Sequence, residues 1–390
     1  MLEKRKLLAG LMGLLFAGTA TAQNDIVLSL AAGRQDATKL VDAYLSPFGR
    51  SFSLGLSQNW NTTAKPLKLL RFNVQAGLSL LAVPGDEQYF NPENLGLESI
   101  RPLDTRASTL AGPSDVQTSY VVLVPDPLNP GSSVALDTLS GLTPGLGLGY
   151  VPAPFVQFNL GLVKGTEIAV RLLPRSSLNG LAGDISALPE QLKENGNLSF
   201  WGVGVKHSLS QHFPRLLKVI PIDFSAYANH CVIEYRQDVR LNGPTAADYP
   251  RGINGVVTNY RYAAGQSPAD VTTQQLVLGS TASSAGLILS KKISILTPFV
   301  RAGLMRSSFS LVAEGQYDVP TAMVANSQSP GTLIQEFSAL SNPVEVNTQV
   351  DNQAHYGLGL RVKLLILAAH AEMVKMGKYT TYNAGLSVGF

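Results

Sequence analysis

The sequence predicts an all-β fold: a transmembrane antiparallel β-barrel of about 12–14 strands with a short N-terminal amphipathic helix as plug. Three observations carry this expectation. The chain is 45% hydrophobic yet only 15% charged, against roughly 25% charged residues in soluble domains. After the leader, no apolar run approaches the ~20 residues of a spanning helix, and LLILAA (364–369) is among the longest. Apolar residues are therefore spread by alternation, the mark of strands with two unlike faces. The final stretch, YNAGLSVGF, alternates to its last atom, with Tyr382, Ala384, Leu386, Val388 and Phe390 on one side and small or polar residues on the other.

From the N-terminus, Lys4, Arg5 and Lys6 precede an apolar core at 7–17, and Ala20-Thr21-Ala22 forms an A-x-A site. This is a secretory signal peptide, residues 1–22, cleaved near Ala22. The residue directly after the cleavage site is Gln23, not cysteine, so no lipid anchor is expected there. The lone Cys231 excludes an intrachain disulfide framework. A net charge of +3, much of it in the leader, makes no electrostatic case for nucleic acid.

Next, Ala37, Leu40, Val41, Tyr44 and Leu45 share a helical face in QDATKLVDAYLSPFG. The helix is expected at about 36–45, with Pro47 ending it. So short a helix needs a packing partner, and the barrel lumen or its periplasmic mouth is available. Residues 23–49 are thus assigned to the plug and 50–390 to the barrel.

Strands are expected near 50–60, 68–83, 117–124, 146–162, 166–174, 197–208, 221–236, 271–289, 293–311, 353–363, 364–375 and 380–390. In RFNVQAGLSL, Phe72, Val74, Ala76, Leu78 and Leu80 oppose Arg71, Asn73, Gln75, Gly77 and Ser79; WGVGVKH and HYGLGLRVK repeat the pattern with glycines on the polar side. A soluble sandwich would turn its polar faces to water. Three features favour lipid outside and polar residues within: the glycine-rich polar faces, aromatics near strand ends (Trp60, Trp201, Tyr235, Tyr356, Tyr382) as interfacial girdles, and the terminal strand. There Tyr382, Leu386, Val388 and Phe390 form the expected barrel-assembly signal. Tight connections near Gly165, 290–292 and Lys363 should be periplasmic turns, as should 208–221. Long ones at 174–196, 237–270 and 312–353 should be extracellular loops. Counting a strand at 118–124 keeps the number even and leaves 84–116 as a long periplasmic or luminal segment.

By parity Arg71, Glu167, Arg171, Lys206, Asp223, Arg301, Arg361, His370 and Glu372 point into the lumen. Facing lipid would cost ~2–4 kcal/mol for each midplane Arg or Lys. They either line a channel or pair across a closed interior. Pro152, Pro154 and Pro298 interrupt strands and mark possible wall kinks, since proline removes a ladder donor. Each is either a tolerated strand-end feature or a gap through which an apolar solute moves sideways.

Enzyme signals are weak. His207-x4-His212 lacks helical metal spacing, and His230 and Cys231 point to opposite strand faces. No G-x-S-x-G elbow occurs. His370 and Glu372 share one face and suit a polar pair inside the lumen. No catalytic residue, metal or cofactor is expected.

DATKLVDAYLSPFG, TEIAVRLLP (166–174), FWGVGVKHSLSQHFP (200–214) and VIPIDFSAY (219–227) resemble a family of outer-membrane proteins from bacteroidete-type bacteria without assigned activity. The likeness is scattered over most of the chain after the leader, with the long loops unmatched. A plug preceding a barrel is similar in architecture to the long-chain fatty-acid transporters, though none of their motifs occurs here. The expected function is passive transport or a channel, with hydrophobic compounds as candidate solutes. A general porin for hydrophilic solutes and a structural or surface-interaction barrel are the alternatives. Expected partners are outer-membrane lipid, the barrel-assembly machinery and a small hydrophobic solute.

Overall fold

The computed structural model describes residues 33–125, 131–142, 144–147, 149–177, 196–213, 222–252 and 255–389. The leader and Phe390 lie outside these residues.

Ten strands close into one antiparallel barrel. They are β1 (Phe72–Ala82), β2 (Tyr150–Gly161), β3 (Thr166–Ser177), β4 (Gly196–Ser208) and β5 (Asp223–Asp238). After them come β6 (Gln275–Ser290), β7 (Leu296–Glu314), β8 (Glu345–Leu364), β9 (Leu367–Met376) and β10 (Tyr379–Gly389). Each pairs with its neighbour in sequence, and β1 against β10 closes the ring, with Val74 opposite Val388 and Leu80 opposite Tyr382.

The expected 12–14 strands are therefore ten. The segment near 50–60 is not a wall strand, because it belongs to a helix and the polar strap after it. Residues 119–125 pair instead with 100–102 and 133–140 in a small separate sheet. Local alternation cannot distinguish a wall strand from a strand in a cap, which has one buried face too. With that strand removed from the wall, the described residues between 83 and 149 lie at the long-loop end, rather than as the periplasmic or luminal segment expected at 84–116.

Alternation holds around the wall. Outward side chains include Val74, Phe158, Leu172, Trp201, Val203, Val205, Val300, Leu304, Tyr356, Leu358, Met373 and Leu386, all exposed. On the inner face, glycines make room for rings. A Cβ on Gly204 would stand 2.9 Å from the Trp60 ring. The Phe299 ring lies across Gly359, and the Phe155 ring across Gly77. Close ring-to-backbone contact is what small inward residues permit in a packed interior.

The helix α1 (Arg34–Leu56) fills this interior. Its 23 residues span ~34 Å at ~1.5 Å per residue. It does not stop at Pro47. A proline inside a helix removes one bond and crowds the preceding turn, but here packing outweighs that cost. Leu40, Val41, Tyr44, Leu45, Phe48, Phe52, Leu54 and Leu56 are each at most 5% exposed, and each such burial contributes roughly 2 kcal/mol. Near the proline, the Tyr44 carbonyl receives Leu110 N–H at 3.0 Å. Gly49 lets the Phe309 ring press against the helix backbone.

After the helix, residues 57–70 run as an irregular strap to the short-turn end, where Leu70 N–H donates to Gly161 O at 2.9 Å. The plug therefore extends well beyond residue 49. The helix begins at the opposite, long-loop end: Asp36 accepts from the amides of Glu98 and Ser99 at 3.0 and 2.7 Å. That end carries further sheets, 89–90 with 107–108 and the parallel pair 257–262 with 333–341, edged by 316–325.

Candidate functional site: a filled lumen and an interrupted wall

Buried polar groups need partners, and in this interior the plug supplies them. In the upper half of the lumen, Arg50 pairs with Glu87 at 2.5 Å, and Tyr379 donates to Glu87 at 2.7 Å. Lys378 meets Asp86 at 2.8 Å; its hydrogen bond holds the Asp86 carboxyl below its usual range. On the same helix, Ser46 meets Thr348 at 2.6 Å one turn before Arg50, and Ser53 meets Ser307 at 3.1 Å after it.

The centre is built on Arg171, 1% exposed. Its guanidinium stacks 3.9 Å from both the Trp60 and Phe155 rings. It donates to Leu56 O at 3.1 Å, Gln58 O at 2.9 Å and Gln157 Oε1 at 3.0 Å. Carbonyls at a helix C-terminus lack partners within the helix, and the macrodipole favours a cation there. Arg171 thus caps α1. Beside it Arg301 binds Glu372 through two nitrogens, one at 3.0 Å, and Gln58 Oε1 at 2.7 Å. Asn383 completes the Glu372 carboxylate at 2.9 Å. His370 meets Asn59 Oδ1 at 2.6 Å rather than Glu372, so the two histidine and glutamate side chains serve separate partners.

Towards the short turns, Lys206 pairs with Glu167 at 2.9 Å, and Glu167 also accepts Leu67 N–H at 2.7 Å. Ser290 Oγ accepts Ala64 N–H at 2.9 Å. The space beside Trp60, Glu167 and Lys206 amounts to about 10 Å³, no more than one water needs.

The nine residues assigned to the lumen by parity thus divide. Glu167, Arg171, Lys206, Arg301, His370 and Glu372 are buried inside. Asp223 and Arg361 are half-buried, and Arg71 is exposed at the short-turn mouth, where β1 has yet to begin. Leu40, Val41, Tyr44 and Leu45 on the helix are buried. Two girdle aromatics are corrected: Trp60 and Tyr235 sit inside the barrel, at 2% and 0% exposure. Trp60 belongs to the strap, and Tyr235 follows the inward parity of β5. Trp201, Tyr356 and Tyr382 face outward, and Tyr382 lies 6.5 Å from the ring of Tyr150. Leu386 is exposed on the outer face and Val388 half-buried. The sequence reading missed Gln58, Asn59, Gln157 and Asn383. The polar QNWN run at 58–61 is a poor fit to a wall strand and is the signal that marks the strap.

The wall is unevenly zipped. β2 and β3 pair only from Gln157–Arg171 to Gly161–Glu167. Above that point β2 pairs with β1 as far as Tyr150, and β3 with β4 as far as Ser177. The prolines explain the asymmetry. Leu162 N–H donates to Thr166 O on the β3 side, whereas Gly161 N–H donates to Arg71 O on the β1 side, both at 2.8 Å. Amides alternate between edges along a strand, so even-numbered residues of β2 face β3. Pro152 and Pro154 therefore leave the β1 ladder intact and remove two donors from the edge facing β3. Behind the seam, Val151 and Ala153 join the apolar core, and Phe155 is buried against Arg171. Pro298 marks no gap. It lies near the start of β7, pairs with Leu360, and accepts Lys291 N–H at 3.2 Å.

His207 and His212 approach with ring centroids 5.7 Å apart, and His207 also meets Thr166 at 2.9 Å. Among the described residues no three or more His, Cys, Asp or Glu gather as a metal site. Cys231 is buried inside while His230 faces outward.

Residues 3–390 match the model of the Family of unknown function (DUF6588). The chain belongs to this family. No curated protein matches it. Among solved structures, the outer membrane protease OmpT from Escherichia coli is 8% identical, covering 84% of this chain and 100% of its own, with TM-score 0.27. The NalP autotransporter translocator domain from Neisseria meningitidis is 10% identical, covering 88% and 92%, TM-score 0.22. The TodX monoaromatic hydrocarbon channel is 10% identical, covering 87% and 70%, TM-score 0.24. The DUF6588 chain is similar to these barrels only at that level, and their activities remain theirs.

Proposed function

We propose that this DUF6588 protein is an outer-membrane barrel, closed to hydrophilic solutes, that passes a small apolar solute sideways through the β2–β3 seam. Short turns then face the periplasm, long loops the exterior. The outward belt of Val, Leu, Phe and Trp supports residence in lipid, where every backbone group must find a partner within the sheet. The observation that carries the transport reading is the seam. Pairing stops at Gln157–Arg171, and the next two β3-facing positions but one on β2 are prolines, with apolar side chains directly behind. Two missing donors lower the cost of leaving that edge unpaired. The filled lumen disfavours a general porin.

The test is to close the seam. Val156→Cys with Leu172→Cys places a disulfide one step above the last ladder pair, and Pro152→Val with Pro154→Val restores both donors. Uptake of an apolar fluorescent probe by intact cells should fall severalfold in either variant, and reductant should restore it in the first. Unchanged uptake in both closed variants would sink the proposal.

A second reading is favoured by the folded head. Tyr249, Tyr260, Tyr262 and Phe337 form one aromatic cluster, with Tyr249 and Tyr260 stacked at 5.4 Å. Such order at the long-loop end suits a surface-interaction role, and deleting 257–262 would then abolish partner binding while leaving probe uptake intact.

A further inference from the structure

A concavity of about 740 Å³ lies on the outside of the wall across β4–β7. Its floor is small: Ala228 from β5, Ser283 and Ala285 from β6. Val203 and Val205 form one bank and Leu304 the other, and Arg306 closes the upper end. Along β7 the outward residues run Pro298, Val300, Ala302, Leu304 and then Arg306, the first charge above an apolar series. From Leu296 to Arg306 the strand climbs about 26 Å, taking ~3.4 Å per residue and a ~40° tilt. That is roughly the height of the hydrocarbon band, so Arg306 stands at its upper boundary.

Local structure singles this arginine out. Pairing between β7 and β8 slips between Met305 and Ser307, and Asn352 opposite adopts a left-handed φ of 47°. The extra residue is on β8, so Asp351 and Asn352 together stand opposite Arg306, which is left out of the regular pairing. Arg306 is exposed, and among the described residues no carboxylate pairs with it, Asp351 across the bulge included. Two strands away, across Ser283, His230 lines the same concavity and is held by Ser283 through Nδ1 at 2.7 Å and by the Trp201 ring at 5.5 Å. His230 Nε2 is left for another partner. An unpaired guanidinium at a lipid boundary, above an apolar trough floored by small residues, complements an amphiphile with an anionic head.

We propose that this concavity is a binding site for lipid A, the phosphorylated glycolipid of the outer leaflet. One acyl chain lies along Ala228 and Ala285, and a phosphate meets Arg306 and His230. The assignment to the outer leaflet rests on the orientation given above; it is independent of any transport through the seam, which lies on the β2–β3 side.

The test is native mass spectrometry of the folded protein with bis-phosphorylated lipid A, the same lipid stripped of phosphate, and phosphatidylglycerol. Arg306→Gln should bind lipid A about tenfold more weakly, the loss of one charge-assisted contact. The surface control Arg240→Gln should bind as the parent does. Ala285→Leu, which fills the trough, should weaken all acylated ligands. Heat-modifiable gel mobility confirms that each variant is folded. The proposal is overturned if Arg306→Gln retains parental affinity, or if dephosphorylated lipid A binds equally well. Phosphatidylglycerol matching lipid A would also overturn it, leaving a general anionic-lipid contact. Failure of the parent to enter bilayers at all would instead sink the membrane reading.

Discussion

Arg171 shows how one residue can be read from sequence in direction but not in role. Period-two parity in EIAVRL points it inward, and a lipid-facing arginine would be expensive. Its partners come from far along the chain, however: two are carbonyls at 56 and 58 and one is Gln157. Removing it leaves several buried acceptors without a donor, each costing about 1–3 kcal/mol. Arg171→Met should therefore lose about 3 kcal/mol or more, seen as a lower urea midpoint for the folded band on gels. Arg171→Lys should fall between, because an ammonium keeps the charge at the helix terminus but lacks the planar fork that reaches both carbonyls and stacks on Trp60.

At the scale of elements, the plug is two pieces with different chemistry. The helix is held mainly by apolar burial, while the strap is held by a row of hydrogen bonds from Gln58 to Leu67. This separates two truncations. Deleting 23–47 leaves Phe48–Leu56 and the whole strap inside the lumen, so refolded protein in planar bilayers should still show almost no current. Deleting 23–66 empties the interior of Trp60, Gln58 and Asn59 and exposes Arg171, Arg301 and Glu372 to water. Steady conductance should appear there. Current from the intact chain, or silence from the longer deletion, would contradict a plug that seals the lumen.

For the whole molecule, stability should be distributed unevenly around the ring. Most wall pairs run for ten or more residues, but β2–β3 holds only five rungs. Local opening follows the weakest hydrogen-bonded unit. Native-state hydrogen exchange should therefore be fastest, among wall strands, at the β3-facing amides of residues 150–156 and their counterparts at 172–177. Protection there equal to that in β6–β7 would show the seam to be zipped in solution. The same unevenness is what the proposed lateral route requires, since a solute leaving sideways would disturb few rungs.

By itself the sequence determined the class of fold and the facing of nearly every wall residue. Alternation is a local property: Val203, Val205 and Leu358 declare their face within a few neighbours, and the charges follow the same parity. What the glycines were for, how many strands close the ring, and where Trp60 and Tyr235 belong were decided only by tertiary structure. The helix passing Pro47 and the strand at 119–125 leaving the wall have one cause. Both outcomes turn on what each segment packs against across the barrel, and long-range packing energies exceed the local preferences that sequence patterns express.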